Sequence, residues 1–256
     1  MTISAVIITK NEERNIGRCL ASLKGVADEI IVVDSGSTDG TEALCREAGA
    51  RFEYHAWSGY SEQKNYADSL ATGDWTLSID ADEALSPELR ESLTVLKRDG
   101  EKADAVYSVK RLTNYCGHWV HHCGWYPDSR IRLWPTGQAS WDGIIHEELV
   151  FKLPLKTLQL EGDLYHYSYY TVAEHVERIA RYAPLSAEKD HARGKRVTKA
   201  GIVFRPLWTF IRGYLLKGGI LDGHTGFVIC KLSATYTLVK YSTLYNLNSK
   251  DLKTKN

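Results

Sequence analysis

Long apolar runs are missing from this sequence of 256 residues, and no stretch of about 18 uninterrupted apolar residues could form a membrane-spanning helix. Glycine and proline, at 20 and 6 residues, are too scarce for a low-complexity chain. The apolar run at residues 3–8 has no basic segment before it, so we expect no signal peptide. The five cysteines are an odd number and mostly lie far apart, which predicts reduced thiols rather than a disulfide framework. These absences favour a globular cytoplasmic protein.

Acidic side chains are nearly absent from the C-terminal end of the chain. The whole sequence is neutral, with 32 basic and 32 acidic side chains. Residues 1–100, however, hold 10 basic and 18 acidic side chains, whereas residues 191–256 hold 12 and 2. This asymmetry predicts that the two ends of the chain face different partners.

The first 100 residues lack the glycine-rich phosphate-binding motifs. Lys10-Asn11-Glu12-Glu13 forms neither a G-x-G-x-x-G sequence nor a P-loop, which disfavours dinucleotide and Walker-type phosphate binding. Short apolar segments instead alternate with segments of helical spacing, which predicts an α/β fold with a parallel sheet. Polar clusters at residues 9–13, 34–39 and 80–83 follow three of the predicted strands. Because ligands of such sheets bind at the carboxyl ends of the strands, we expect a ligand site there.

The sharpest motif in these clusters is Asp80-Ala81-Asp82, which follows a buried strand and precedes Glu83. Mg²⁺ is usually held by one or two carboxylates plus substrate phosphates, so this turn can clamp a metal–diphosphate; the alternative is an ordinary solvated turn. Asp34 ends the second strand, where it can accept a hydrogen bond from a ribose or a base, or merely cap its own turn. Lys64 can reach a phosphate, or be a solvated helix lysine.

Three segments, at residues 6–12, 32–41 and 80–83, resemble family 2 glycosyltransferases with the GT-A fold. Further motifs resemble the bacterial subgroup that contains the lipopolysaccharide-core β-1,4-glucosyltransferases. These motifs lie at residues 124–128, 130–133, 146–147, 166–169 and 221–223. The resemblance covers most of residues 1–245 and implies an α/β GT-A domain with a helical, basic C-terminal extension.

The resemblance implies an inverting transfer of a hexose, such as glucose, from a UDP-sugar. By position, Thr9, Asn11, Glu12 and Asp34 would line the nucleotide pocket. Ser35 is a departure from the pattern, because many relatives carry a second Asp there. Asp34 is therefore left as the one carboxylate of this turn for the nucleotide.

A divalent cation, Mg²⁺ or Mn²⁺, is also implied by the resemblance. Lys64 would lie near the nucleotide and phosphates, Asp80 would face the ribose and the metal, and Asp82 would bind the metal directly. His166 is a candidate third ligand, the alternative being an ordinary buried histidine. The cation would neutralise the charge of the leaving diphosphate.

Inverting transfer also needs a base that takes the proton of the acceptor hydroxyl. The candidates in the second half of the chain are Glu147, Glu148 and Asp128. We choose Glu147, because His146-Glu147 is the family-like pair and an apolar approach can raise the pKa of the carboxyl group. Asp128 and Glu148 remain the alternatives.

One loop concentrates side chains of the types that bind zinc: Cys116, His118, His121, His122 and Cys123. Their types suit Zn²⁺, but their spacing matches no familiar structural zinc site. The alternative is an acceptor-side loop, in which nearby aromatic rings stack on sugars or pack in the core. The sequence leaves both interpretations open.

Residues 200–245 combine apolar, aromatic and basic side chains, and Arg205, Arg212 and Lys217 interrupt the run too often for a membrane span. We expect this segment to bind an anionic membrane surface. The alternative is a helix that packs on the catalytic domain with a solvated basic edge. We expect no nucleic-acid partner, because the chain carries no fold signal for one.

The predicted organisation is a GT-A catalytic domain at residues 1–170, followed by a helical amphipathic extension at 171–256. Residues 1–100 would form the nucleotide-sugar half of the domain and residues 101–170 the acceptor half. The predicted enzyme works at the cytoplasmic face of the inner membrane and transfers a sugar to a hydroxyl of a lipid-linked glycan such as lipopolysaccharide core. A polyprenyl-phosphate glycosyltransferase and a non-catalytic nucleotide-sugar-binding protein are the alternatives.

Overall fold

The computed structural model describes residues 1–100, 104–143 and 148–254, with side chains up to residue 251. The chain forms two compact units. The first unit comprises Met1–Leu112 and Asp128–Tyr167, and the C-terminal unit comprises Thr113–Pro127 and Ser168–Asn256. The loop at residues 113–127 thus groups with the C-terminal helices, and the predicted boundary at residue 170 stays a prediction.

Strands and helices alternate through the first 100 residues, as the sequence predicts. The elements are β1 (Ile3–Thr9), α1 (Glu13–Leu23), β2 (Glu29–Asp34), α2 (Thr41–Glu47), β3 (Arg51–Tyr54), α3 (Tyr60–Ser69), β4 (Trp75–Ser78), β5 (Glu83–Leu85) and α4 (Pro87–Asp99). Strands then dominate up to residue 169. They are β6 (Ala105–Tyr115), β7 (His118–Val120), β8 (Asp128–Pro135), β9 (Ala139–Asp142), β10 (Glu148–Phe151) and β11 (Lys156–Tyr169).

One mixed sheet organises these strands in the order β3-β2-β1-β4-β8-β6-β11-β5, with β7 paired to the end of β6. The first four strands are parallel, and β8, β6 and β5 pair with their neighbours in antiparallel fashion. Strands β9 and β10 form a separate antiparallel pair. Thr9 pairs with Asp34 in the β1–β2 register, so the carboxyl ends of these two strands meet at one edge.

Helix α1 shows why the predicted periodicity holds. Ile16, Leu20 and Leu23, at helical spacing, are buried against the sheet. Helix α4 begins where the sequence predicts: Ser86 caps it by accepting a hydrogen bond from the Leu89 N–H, and Pro87 occupies the first turn.

Helices make up most of the C-terminal unit: α5 (Val172–Ala192), α6 (Lys199–Ile211) and α7 (Gly223–Thr254). A π-helical turn at Arg212–Leu216 and a 3₁₀ turn at Gly219–Asp222 connect α6 to α7. Helix α5 begins with a capping box, in which the Thr171 side chain and the Glu174 side chain bond each other's backbone N–H. Across the described part of the chain, none of the helices is both long and apolar enough to cross a bilayer.

Candidate functional site

Asp34 is buried at the end of β2 and holds its own turn together. Its Oδ2 accepts hydrogen bonds from the N–H groups of Gly36 and Ser37, each at 2.7 Å. Its Oδ1 accepts a third hydrogen bond from the Ser37 hydroxyl. Carboxylate oxygens have about four lone-pair directions, so Asp34 retains acceptor capacity beyond these three bonds. Asp34 therefore does cap its own turn, and its additional role in binding the nucleotide stays a prediction.

The loop after β1 is tied to the loop after β2 by reciprocal hydrogen bonds. The Asn11 N–H donates to Ser37 Oγ at 2.7 Å, and Asn11 Oδ1 accepts the Thr38 N–H at 2.8 Å. The Glu12 N–H donates to Thr41 Oγ1 at 2.9 Å. Asn11 adopts φ 55°, a left-handed conformation that Asn tolerates better than most residues. These bonds order the edge of the sheet where Thr9 and Asp34 lie side by side.

Asp80, two residues beyond the end of β4, lies between two cations. Lys64 Nζ is 3.2 Å from Asp80 Oδ1, and Arg132 Nη2 is 2.9 Å from Asp80 Oδ2. Burial alone would raise the pKa of the Asp80 carboxyl, but the charges of Arg132 and Lys64 outweigh it and hold this pKa well below its ordinary value. Asp80 is therefore a carboxylate that stays ionised through the physiological range.

Glu83 shares Arg132 with Asp80, and the sequence does not predict this ion pair. Arg132 Nη2 contacts both Glu83 oxygens, at 2.6 and 2.8 Å, and both side chains are buried. Burial raises the pKa of Glu83 although Arg132 opposes this shift. Arg111 Nη1 lies 3.6 Å from Glu83 Oε1. The sequence carries Arg132 in a subgroup motif, but only the pairing of β8 with β4 places it against the acidic turn.

Asp82 and His166 come together although they lie far apart in the chain. His166 Nε2 is 3.3 Å from Asp82 Oδ2, and both side chains remain partly accessible. The contact arises because β11 pairs with β5, which places His166 opposite Glu83. The Tyr167 N–H also donates to the Asp82 carbonyl at 2.9 Å. The structure thus brings the predicted ligand Asp82 to the candidate ligand His166.

A carboxylate oxygen beside an imidazole nitrogen suits a divalent cation that takes its other ligands from diphosphate and water. Asp80 has both oxygens in ion pairs, and its predicted role as a direct ligand stays a prediction. In residues 1–100, 104–143 and 148–251, no three His, Cys, Asp or Glu side chains form a group that could hold a metal ion. The residues present fit a cation held by two protein ligands.

The three candidate bases have different surroundings. Glu147, our choice, lies outside the described residues. Asp128 is engaged by two arginines: Arg111 Nη2 is 2.6 Å from Oδ2 and Arg130 Nε is 2.9 Å from Oδ1. Glu148 begins β10 and is exposed. Both carboxylate oxygens of Asp128 are thus already occupied by arginines, which counts against its acting as the base.

Lys64 is oriented by a second group of side chains. Its Nζ lies 4.4 Å from the centre of the Trp141 ring. The Asn65 side chain holds the backbone of that tryptophan. It donates to the Trp141 backbone carbonyl at 2.8 Å and accepts from the Trp141 backbone N–H at 2.7 Å. One turn further along α3, both carboxylate oxygens of Asp68 are buried without a hydrogen-bond partner among the described residues. Burial raises the pKa of Asp68 to about 7.

The cysteine- and histidine-rich loop is anchored by Asp222 within the C-terminal unit. The backbone N–H of His122 and its ring Nδ1 both contact the Asp222 carboxylate at 2.9 Å. Cys123 Sγ lies 3.9 Å from the same carboxylate, whereas Cys116 is exposed. These contacts explain the aspartate of the motif at residues 221–223 as an anchor for the loop, and the zinc interpretation gains no support from them.

Comparison with known proteins gives a consistent result. Residues 4–147 match the family model described as "Glycosyl transferase family 2". An uncharacterized glycosyltransferase of Rickettsia typhi is 31% identical over 99% of this chain and 89% of its own length. The lipopolysaccharide core biosynthesis glycosyltransferase LpsC of Rhizobium meliloti is 32% identical over 96% of this chain and 92% of its own length.

Among solved structures, the chain is similar to glucosyl-3-phosphoglycerate synthase from Mycobacterium tuberculosis in complex with Mn²⁺, UDP and glucosyl-3-phosphoglycerate. The identity is 29%, the match covers 44% of each chain, and the TM-score is 0.37. The predicted mixed α/β GT-A fold with a helical C-terminal segment is confirmed. Both the family model and the near full-length relatives show that this chain belongs to glycosyl transferase family 2.

Proposed function

We propose that this glycosyltransferase is a metal-dependent, inverting enzyme that moves a hexose from a UDP-sugar to a hydroxyl of a lipid-linked glycan. The observation that carries the proposal is the pairing of Asp82 with His166 directly beside the ion-paired Asp80. This arrangement supplies two accessible metal ligands at the carboxyl end of the parallel strands, where ligands of such sheets bind.

Asp82 and His166 would hold Mg²⁺ or Mn²⁺, which supplies charge neutralisation for the leaving diphosphate when bound. Lys64 has the reach to add a second positive charge there, because its Nζ already lies at the edge of the acidic turn, 3.2 Å from Asp80. Arg132 is buried and therefore serves to hold Asp80 ionised and in place rather than to contact substrate. The ordered loops at Asn11, Glu12 and Asp34 would receive the nucleoside.

Glu147 is the proposed base that takes the acceptor proton. One alternative, Asp128, already has both carboxylate oxygens in ion pairs with Arg111 and Arg130. A Glu147→Gln variant should abolish transfer and retain UDP binding. Normal turnover of this variant would move the role to Glu148 or Asp128, or indicate a phosphate acceptor, which needs no base of this kind.

Two observations, one from a relative and one from the C-terminal surface, support the proposed acceptor and location. LpsC, by its name, takes part in lipopolysaccharide core biosynthesis. Exposed apolar side chains are concentrated on α6 and the turns after it, which suits binding to the cytoplasmic face of a membrane that carries a lipid-linked acceptor. These exposed residues are Val203, Phe204, Leu207, Trp208, Leu215, Leu216, Ile220 and Leu221.

A donor screen tests the whole proposal. UDP- and GDP-sugars are incubated with the full chain and Mn²⁺, and both hydrolysis and transfer to a truncated lipopolysaccharide are measured. We expect a UDP-hexose to be consumed only in the presence of the cation. Transfer to a polyprenyl phosphate instead would identify the alternative transferase. Binding of nucleotide sugar without any turnover would identify a non-catalytic protein.

A further inference from the structure

An open groove crosses the helical surface of the C-terminal unit. Its larger part, about 620 Å³, lies between α6 and α7, and a second part of about 440 Å³ continues towards α5. Thr209, Tyr236 and Thr237 line both parts, so the two parts adjoin each other at these residues. A groove of this size is large enough for a small ligand or a lipid headgroup.

Helix α6 forms one wall of the groove and is an apolar helix without a single buried residue. Val203 and Phe204 are 64% and 65% exposed, and Leu207 and Trp208 one turn later are 52% and 56% exposed. Their spacing places all four on one stripe of the helix. A contiguous apolar stripe at the surface indicates a partner, because soluble proteins rarely leave such patches uncovered.

Two arginines at the groove have no acidic partner among the residues that the structure describes. Arg205, in the larger part, donates to the Tyr241 hydroxyl at 3.1 Å and stacks on its ring. Arg178, in the second part, donates to Ser168 Oγ at 3.1 Å. No acidic side chain of the described residues forms an ion pair with either arginine, and none of the residues lining the groove is acidic. Lys240 differs, because it lies 2.9 Å from Asp190, a carboxylate that it shares with Lys195.

The two arginines and the apolar stripe of α6 together indicate which class of ligand fits the groove. A guanidinium group can donate two parallel hydrogen bonds to a phosphate, and aromatic side chains beside it favour the boundary between water and lipid. A free sugar nucleotide would satisfy the charge but leave the apolar stripe of α6 exposed. A phospholipid satisfies both, since its phosphate carries the charge and its acyl chains cover the stripe.

We propose that this groove binds the phosphate headgroup of one anionic glycerophospholipid, with the phosphate on Arg205 and the acyl chains along Phe204, Leu207 and Trp208. Arg178 adds positive potential at the far part of the groove. The proposal deepens the membrane association in the proposed function by replacing a diffuse basic surface with a defined site for one lipid molecule.

The test uses the full-length protein and a short-chain lipid, dihexanoyl phosphatidylglycerol, kept below its micelle-forming concentration. Isothermal titration calorimetry should show saturable binding at one site. Arg205→Gln should weaken this binding roughly five- to tenfold, as the loss of one basic contact to an anionic lipid implies. Arg212→Gln is the matched control, because it removes the same charge from an exposed position outside the groove. We expect it to change the affinity less than about twofold.

A second variant guards against misfolding of the first. Thr237→Trp fills the middle of the groove and should also reduce binding, while circular dichroism verifies that the helices are intact. Equal weakening by Arg205→Gln and Arg212→Gln would overturn the proposal in favour of diffuse charge. Equal binding of inorganic phosphate, or no saturable lipid binding, would overturn it as well. UDP-sugar hydrolysis, measured in the same variants, reports separately on the proposed function.

Discussion

The acidic turn at residues 80–83 in the first unit and the groove of the C-terminal unit differ in how their charged side chains are neutralised. In the turn, Asp80 and Glu83 share Arg132, and Lys64 completes the neutralisation at 3.2 Å. In the groove, Arg178 and Arg205 are left without an acidic partner in the described residues, beside exposed apolar side chains. The charges are neutralised internally at the proposed metal site, where fixed side-chain positions would matter most. They are left unneutralised in the groove, where we propose that a lipid phosphate binds.

The largest effect should come from breaking the internal neutralisation. Arg132→Met would remove the close cation of the buried Glu83 and leave the partly accessible Asp80 paired with Lys64 alone, and breaking a buried ion pair typically costs about 3–5 kcal/mol. We expect urea denaturation to show a loss of this order in the free energy of unfolding. Arg98→Met is the matched control, since Arg98 pairs with Asp99 at an exposed position and should cost less than about 0.5 kcal/mol. Equal losses in both variants would remove the distinction between buried and exposed pairs.

The second effect concerns the metal. Asp82→Asn should reduce transfer about 100-fold or more, because a neutral amide binds a divalent cation far more weakly than a carboxylate does. The fold should be unaffected, as Asp82 is partly accessible. Asp99→Asn, an exposed substitution of the same kind, should retain full activity. Initial rates measured over a range of Mn²⁺ concentrations distinguish the two variants. An unchanged cation requirement in Asp82→Asn would refute the assignment of Asp82 as a metal ligand.

The third effect is a pH dependence that originates at Asp68. Its pKa is raised to about 7 in the folded protein by burial, so the folded state holds this proton more tightly than the unfolded chain. The stabilisation is complete below the ordinary carboxyl pKa and is lost as the pH rises through about 7. Asp68→Asn should therefore gain stability relative to the wild type as the pH rises, and its advantage should grow by roughly 2–3 kcal/mol between pH 5 and pH 8. Parallel pH profiles of urea midpoints for the two proteins would contradict this.

The smallest effect tests the exposed apolar surface of α6. Trp208→Ser should lower binding to phosphatidylglycerol vesicles about tenfold, the equivalent of roughly 1.4 kcal/mol of lost apolar burial in the membrane. Trp57→Ser is the control, because Trp57 is similarly exposed but lies in the first unit. Vesicle flotation measures both, and equal binding of the two variants would mean that exposed tryptophan on α6 has no special role.

Much of the first unit could be predicted from the sequence. The strands β1 and β2 are largely apolar runs and β4 alternates apolar and polar residues. Helix α1 carries clear periodicity and α4 carries a clear cap, so local signals are sufficient for these elements. The sequence does not predict strand β11, although Leu158, Leu160 and Leu164 lie on one face with a period of two. Polar residues and Gly162 interrupt that alternation, and three-residue strands such as β5 and β7 are too short to give a periodic signal.

The candidate site, like the fold, is only partly predictable from the sequence. The sequence by itself determined which residue types follow each parallel strand, and therefore predicted Asp34, Asp80 and Asp82 as a polar edge. Only the tertiary structure decided that Arg132 neutralises Asp80 and Glu83, and that His166 reaches Asp82, since both contacts depend on antiparallel pairings between distant segments. Sequence patterns report local spacing and burial. The partner of a charge is set by strand order across the sheet, which no local pattern encodes.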